Sequence, residues 1–510
     1  IYNNLIFIVP INRLGQHWCK SSLFYCILPN NKYEKRLICR IIPIFAPLFC
    51  FFTPMMQYVK DLTHGSIRGQ LVRLALPVMG SSFVQMAYSF TDMAWVGSLG
   101  SKSVAAIGAV GVLTWTSNSL ALINKVGAEV NVSQCIGAQR MDKAQAYASH
   151  NLTLALLISV VWTTLIWTCA VPLIGIFGME SDVTQLSVEY LRVVSTAFPF
   201  IFMSAAFTGI YNASGHTQVP FYVNGIGLAL NMLLDPLFIL GFGMGTLGAA
   251  WATWISQATV CLMFFYVLMR RRRLFERFRI LVPLRLPYVP LIFKVGLPVA
   301  LLNIFFSLIS LFMGRTASAE GGYLGVMTLT AGGQLEAIAW YTSQGFSTAL
   351  STFVAQNYAA GCTERIRKAF KMTLGITAAI GAGCTALFYG GGEWIFSLIT
   401  SEPDAYRAGG LFLKIDSYSM IFMMLEITTQ GVFYGTGRTV PPALVSITGN
   451  VLRIPLALLL GHWGWGIAGV WWAVSMSSIL KGCVLFGWLV LRRHVLLTGS
   501  TLRPRSGLLS

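Results

Sequence analysis

Apolar positions in this chain run in long, nearly unbroken stretches, with polar, glycine and proline punctuation between them. Reading for windows of about 20 apolar residues, the length that crosses a bilayer as helix, the pattern predicts spans at 71–96, 104–134, 147–172, 185–210, 219–241 and 247–269. A second set follows at 290–314, 324–355, 368–391, 409–434, 440–461 and 465–491. Pro77, Pro199, Pro236, Pro298 and Pro455 fall inside spans. Membrane helices tolerate them, because neighbouring groups re-satisfy the freed backbone. The expected fold class is an all-α membrane protein of twelve transmembrane helices.

The two sets are the same text written twice. Leu76-Pro77-Val78 returns as Leu297-Pro298-Val299, and Gln134 near Gly137 returns as Gln356 near Ala359. Tyr190-Leu191-Arg192-Val193 maps onto Phe412-Leu413-Lys414-Ile415, and Ser214-Gly215-His216-Thr217 onto Thr436-Gly437-Arg438-Thr439. Gly245, Gly248 and Trp251 find Gly466, Gly469 and Trp472. Landmarks held at one spacing over so long a stretch mark a tandem duplication. An even number of spans per repeat makes both halves start and end on one side, so the lobes have parallel topology around a central cavity. The expected organisation is an N-lobe over 57–269 and a C-lobe over 289–491. A basic inter-lobe loop at 270–288 joins them, and a basic tail runs from 492 to 510.

Composition agrees: 55% of residues are hydrophobic and 11% charged, where a soluble domain carries about 25% charged. The net charge of +18 is distributed by side. Connections after even-numbered spans hold Arg140, Lys143, the arginines from Arg270 to Arg285, Arg365, Arg367, Lys368, Lys371 and Arg438, and the tail adds more. Odd connections hold only Lys102, Arg315 and Arg407, beside Glu180, Asp182, Glu393, Glu402 and Asp404. The positive-inside tendency places both termini of this multi-pass chain in the cytoplasm. Anionic lipid headgroups account for the basic side, and no nucleic-acid partner is expected.

Residues 1–56 stand outside the repeat. They contain Cys19, Cys26, Cys39 and Cys50, and their longest apolar run, 41–54, is short and broken by prolines. The segment reads as a poorly ordered extension or a mis-assigned start ahead of Met55 and Met56. No cysteine spacing suggests a disulfide framework or a metal site.

Ionisable residues inside spans are costly in lipid and therefore suspect. They are Asp92, Lys125, Glu129 and Asp235 in the first half, and Glu336, Asp416, Glu426, Arg453 and Lys481 in the second. Asn231 and Asp235, four apart, share one helix face. With Thr253 they offer oxygen ligands of the kind that hold Na⁺, and a desolvated carboxylate there can instead carry a proton. Asp235 can equally cap the helix end before Pro236, and Lys125 and Glu129 can simply neutralise each other. Six scattered histidines, no phosphate-cradling lysine loop and no nucleophile elbow argue against an enzyme. No cofactor is expected, and transport would have to be driven by an ion gradient.

The ordered set Leu76-Pro77, Tyr88, Asp92, Gly97-Ser98-Leu99-Gly100, Gln134, Gly137-Ala138, Asn231 to Phe238 and Gly245 to Thr253 closely resembles the MATE (multidrug and toxic compound extrusion) transporters. The resemblance covers residues 60 to 495. It implies a two-lobe, alternating-access exporter of small organic solutes, acting as a monomer in a bacterial inner membrane and driven by H⁺ or Na⁺. It also implies that Asp92, Asn231, Asp235 and Thr253 form the coupling site, with Asp92, Asn231 and Asp235 as the ligands if Na⁺ is used. Arg453, Glu426, Lys125, Glu129 and Tyr88 are expected to line the substrate cavity.

The sequence also departs from that pattern. Phe305-Phe306-Ser307-Leu308 offers no acid where one branch carries one, which leaves Glu426 as a C-lobe substitute. Arg453 stands in the slot that Asn231 fills in the N-lobe. The chain further resembles an enterobacterial member of the family associated with flavin nucleotides, so FMN and FAD are the expected cargo. A phosphate would suit the arginine fork between aromatic walls such as Trp115, Tyr341 or Trp471; otherwise Arg453 pairs with Glu426 or Asp416. The alternatives are a broad multidrug cation exporter and a lipid-linked precursor flippase of the same superfamily, which calls for a strongly basic cavity or extra helices.

Overall fold

The computed structural model describes residues 59–97, 99–270 and 279–498. The expected extension over 1–56 lies outside the described residues, as do 271–278 of the inter-lobe loop and the end of the tail from 499. All regular structure among the described residues is helical. The first half comprises α1 (Ile67–Gly97), α2 (Ser101–Gly137), α3 (Met141–Thr168), α4 (Ser181–Ser195 bent onto Phe198–Ala213), α5 (Gln218–Pro236) and α6 (Gly245–Arg270). A π-helical turn, Leu237–Gly241, extends α5, and a short helix, Ala170–Gly175, follows α3.

In the second half, the helical run Val289–Ala359 breaks at Gly322, whose φ of 56° and ψ of −139° leave helical space. It is therefore two helices, α7 (289–321) and α8 (323–359). Next come α9 (Thr363–Ser397), α10 (Pro403–Ser417 bent onto Met420–Gly435), α11 (Val440–Leu460, with a π turn Gly461–Trp465) and α12 (Gly466–Thr498). With each bent pair counted as one span and the short helix Ala170–Gly175 left aside, the described residues carry twelve spans in the positions that apolar length suggested.

Two features depart from simple straight spans. α3 and α9 begin at Met141 and Thr363, about a turn earlier than expected, because their polar first turns are invisible to a hydropathy window. α4 and α10 are bent by 46° and 50°. At the first bend Pro199 follows Phe198, so its ring cannot continue the preceding helix. At the second, Ser419 Oγ donates to Asp416 O at 2.9 Å and competes with the helical ladder. Each bend leaves a carbonyl that a threonine of the preceding span takes up. Thr163 Oγ1 donates to Ser195 O at 3.1 Å, and Thr385 Oγ1 donates to Ser417 O at 2.9 Å. These are equivalent positions of the two repeats, so the duplication reaches down to single hydrogen bonds.

The lobes meet through helix pairs related by the same repeat. α2 lies on α7, where a Cβ on Gly127 would come within 2.7 Å of Ile292 and one on Gly296 within 2.2 Å of Ile123. α8 lies on α1, where a Cβ on Gly345 would meet Met79 at 2.2 Å. Lipid offers little hydrophobic drive between helices, so such close backbone approach is how membrane bundles gain packing. Large apolar side chains instead face outward, among them Val161, Leu233 and Leu240, as a lipid-covered perimeter requires.

Segment 279–288 leads into α7 and defines the linker end of the bundle, where α2, α4, α8 and α10 also terminate. Val282 N donates to Thr153 Oγ1 of α3 at 3.0 Å, and the Tyr288 ring stacks on His150 at 4.4 Å. At the opposite end, Lys102 Nζ pairs with Glu180 Oε2 at 3.3 Å and Asp182 Oδ2 at 3.4 Å. The connections after the first and third spans therefore share a face.

Candidate transport and coupling site

In the N-lobe, α5 brings Asn231 and Asp235 one above the other. Asn231 Nδ2 donates to Asp235 Oδ1 at 3.2 Å, and both side chains are fully buried. Asp235 directly precedes Pro236, where the helix passes into its π turn. Proline lacks the N–H that the carbonyl of Met232 would otherwise receive, and π turns of this kind recur at functional positions. Asn231 Oδ1 accepts no hydrogen bond among the described residues. A buried acceptor left open in this way is costly unless something else satisfies it.

On the helices packed against α5, Tyr88 of α1 donates its hydroxyl to Thr253 Oγ1 of α6 at 3.0 Å. Asp92 is one turn further along α1, on the face that carries Tyr88; its side chain lies outside the described residues. α1, α5 and α6 thus carry the N-lobe positions proposed for coupling. Tyr88, expected among the cavity residues, stands with this N-lobe set.

The C-lobe is chemically different. Lys481 Nζ of α12 pairs with Glu426 Oε2 of α10 at 3.3 Å and donates to Asn450 Oδ1 of α11 at 3.0 Å. Glu426 Oε1 accepts from Ser446 Oγ at 2.6 Å and from Gln430 Nε2 at 3.2 Å. Glu426, expected in the substrate cavity, is bound up with neighbouring helices in this structure. Its carboxylate is 4% exposed and is engaged by three helices.

Arg453 pairs with neither Glu426 nor Asp416. Its Nε donates to Ser477 Oγ at 2.7 Å and an Nη to Ser478 Oγ at 3.2 Å, both on α12. Glu336, Glu426 and Asp416 lie near enough for their charge to act on the guanidinium. Asp416 takes a bond from Ser419 Oγ at 3.1 Å, and its other oxygen has no partner among the described residues. The cluster therefore holds three acids against two bases.

Glu129, Lys125 and the aromatic residues expected at the cavity wall take the following positions. Glu129 is buried between α2 and α4 near the linker end, where Asn212 Nδ2 reaches its Oε2 at 3.5 Å. Lys125 is half-buried one turn away, near enough for its charge to act on Glu129 although no ion pair joins them among the described residues. Trp471 is 2% exposed and packs edge-on against Phe412 at 5.8 Å, which makes it core rather than wall. Trp115 remains 42% exposed, with its Nε1 3.4 Å from Asn303 O of α7.

Lys481 stood out in the sequence only as a charge inside a span, and Asn450, Ser477 and Ser478 were not singled out at all. One signal was available. Gly227 in the N-lobe makes room for Val260, and its counterpart Gly449 makes room for Lys481, each prospective Cβ lying 2.3 Å from the partner side chain. The same slot holds a valine in one lobe and a lysine in the other.

Two lobes of six bilayer-length helices, with buried ionisable groups inside each, define a two-lobe membrane transporter. The chain belongs to the MatE family, whose model matches residues 77–237 and again 298–459, one match per lobe starting at the equivalent prolines. The chain is 28% identical over 443 residues to the Thermotoga maritima protein described as probable multidrug resistance protein NorM, covering 83% of this chain and 92% of that one. The fold is similar, with TM-score 0.80 and 26% identity over 85% of this chain and 98% of the other, to the outward-facing conformation of a multidrug resistance MATE family transporter. It also matches, at TM-score 0.80 and 25% identity with the same coverage, a Pyrococcus furiosus transporter of the MOP superfamily for which reverse polarity of the binding pocket suggests a different function. The protein is a multi-pass membrane transporter and not an enzyme.

Proposed function

We propose that this chain is a gradient-driven exporter of small organic solutes of the multidrug type, working by alternating access as a monomer in the bacterial inner membrane. In this reading the N-lobe couples the cycle to H⁺ or Na⁺ through Asp92, Asn231, Asp235 and Thr253. The observation that carries it is the fully buried Asn231–Asp235 pair with the open Asn231 Oδ1. A proton or a cation relieves such a site, and the energy of that relief can be spent on moving the lobes. In this reading the linker end and both termini lie in the cytoplasm, which the basic loops after even spans support. The inter-lobe hydrogen bonds of Gln134 and Gln356 lie at that end, which favours an outward-facing arrangement.

The cargo follows from the charge of the C-lobe. Three acids against two bases, with one base already paired, favour organic cations and a broad multidrug range, and oppose a strongly basic flippase cavity. Flavin nucleotides are the second reading. Only two of the five N–H donors of Arg453 bond the serines, and the remainder could engage the phosphate of FMN or FAD. Purified protein in proteoliposomes, with a pH or Na⁺ gradient imposed separately and ethidium, FMN and FAD offered in turn, tests both readings. Gradient-dependent movement of at least one solute is expected. No movement under either gradient would refute the function.

A further inference from the structure

The linker end carries a device that is repeated, like the fold, across the two lobes. Gln134, at the end of α2, donates its Nε2 to Gly435 O, the last residue of α10 in the other lobe, at 3.0 Å. Gln356, at the end of α8, donates its Nε2 to Ala213 O, the last residue of α4 in the other lobe, at 3.1 Å. The two glutamines are equivalent positions of the duplication, and so are the two acceptors. The last carbonyls of a helix lack an intrahelical donor, so each lobe caps a helix end of its partner. The backbones approach so closely here that a Cβ on Gly137 would lie 2.0 Å from Gln356 O.

A strap crosses this junction and breaks the symmetry. Lys60 N donates to Ser214 O at 3.0 Å, in the N-lobe. Two residues later Leu62 N donates to Gln356 Oε1 at 3.0 Å, and Leu62 O accepts from Asn357 Nδ2 at 3.2 Å, both in the C-lobe. Arg365 of α9 then donates to Leu62 O at 3.1 Å, Gly65 O at 3.0 Å and Gln70 Oε1 at 3.2 Å. Gln356 is fully buried and serves strap and latch together, one amide end for each.

We infer that Gln134 and Gln356, with the strap Lys60–Gly65, form the gate that holds the lobes together at the linker end, and that opening toward this side requires all of these bonds to release as one unit. The groups are suited to it. The bonds of Gln134 and Gln356 that join the lobes directly are between neutral amides and carbonyls at the bundle's end, so water can take them over when the lobes part. Fixed charges would add a desolvation cost at each closure. The inference rests on alternating access, but its test involves no transport, so failure of the gate and failure of export are read separately.

The test is amide hydrogen–deuterium exchange on the purified full-length protein in detergent, comparing wild type, Gln134→Leu and Arg365→Gln. Among the described residues Gln134 makes no hydrogen bond to the strap and Arg365 makes none to α10. A cooperative gate predicts cross-effects: Gln134→Leu speeds exchange of the strap amides 60–65 at least tenfold, and Arg365→Gln does the same for Gly437 and Arg438. Both should also slow exchange at the opposite end, around 99–104 and 180–184, as that side closes. Gln356→Leu should produce the largest change; if it fails to fold, the other two variants still decide. Changes confined to each variant's own partners, or a uniform rise along the whole chain, would overturn the proposal.

Discussion

Lys481 Nζ stands 3.3 Å from Glu426 Oε2 inside the C-lobe, and both side chains are more than nine-tenths buried. The equivalent N-lobe positions are Val260 and Ser204, which carry no charge. Removing one member of such a pair leaves an uncompensated buried charge, a loss of about 3–5 kcal/mol, whereas replacing both is often neutral. Lys481→Met and Glu426→Gln should therefore each lower the unfolding midpoint of the purified protein in detergent. The double variant should recover most of the loss. A double variant as unstable as the sum of the singles would mean that the two residues stabilise the lobe independently.

Asp235→Asn keeps the side chain's shape and its ability to bond Asn231 but removes the charge that the coupling model needs. Export should fall at least tenfold, while expression and thermal stability stay near wild type. Export at the wild-type rate would move the coupling site elsewhere. Because Asp235 is fully buried, a general loss of fold is a competing outcome, and the unfolding midpoint separates the two.

Tyr88→Phe removes the hydroxyl that bridges α1 to Thr253 of α6 at 3.0 Å. A hydrogen bond of this kind contributes about 0.5–1.5 kcal/mol net, roughly a two- to tenfold change. The driving-ion concentration for half-maximal export should rise by that factor with the maximal rate little changed. An unaltered ion dependence would make the bond a packing contact only.

The helices and their repeat were legible in the sequence because bilayer thickness imposes a length on every span, and because the landmarks stayed in register. Gly248 and Gly469 recur for a physical reason: each seats the first turn of its helix against the preceding span, on Phe238 and Leu460 respectively. The Asn231–Asp235 face was legible because helical periodicity alone stacks residues four apart. The bends in α4 and α10 were not, since the second has no proline and turns on the serine at 419. The partners of Arg453 were also hidden. Its serines lie on the next helix, and hydropathy gives them no weight, whereas acids closer to notice lie near it without pairing. The pairing of Glu426 with Lys481 depended on which of three acids the packing brings nearest, and spacing along the chain does not contain that.

Arg453→Ala tests cargo preference. The guanidinium is anchored by Ser477 and Ser478, so its loss frees two hydroxyls and leaves Glu336 and Asp416 with less nearby positive charge. If the remaining donors engage cargo phosphate, efflux of FMN and FAD should fall at least fivefold more than efflux of ethidium. If the arginine only balances the acids, all cargoes should decline together and the unfolding midpoint should drop with them. Arg453→Lys sharpens the distinction. It retains the charge but cannot present a bidentate fork, so a cargo role predicts that flavin export stays impaired while stability returns. Recovery of flavin export along with stability would assign Arg453 to the charge balance of the C-lobe.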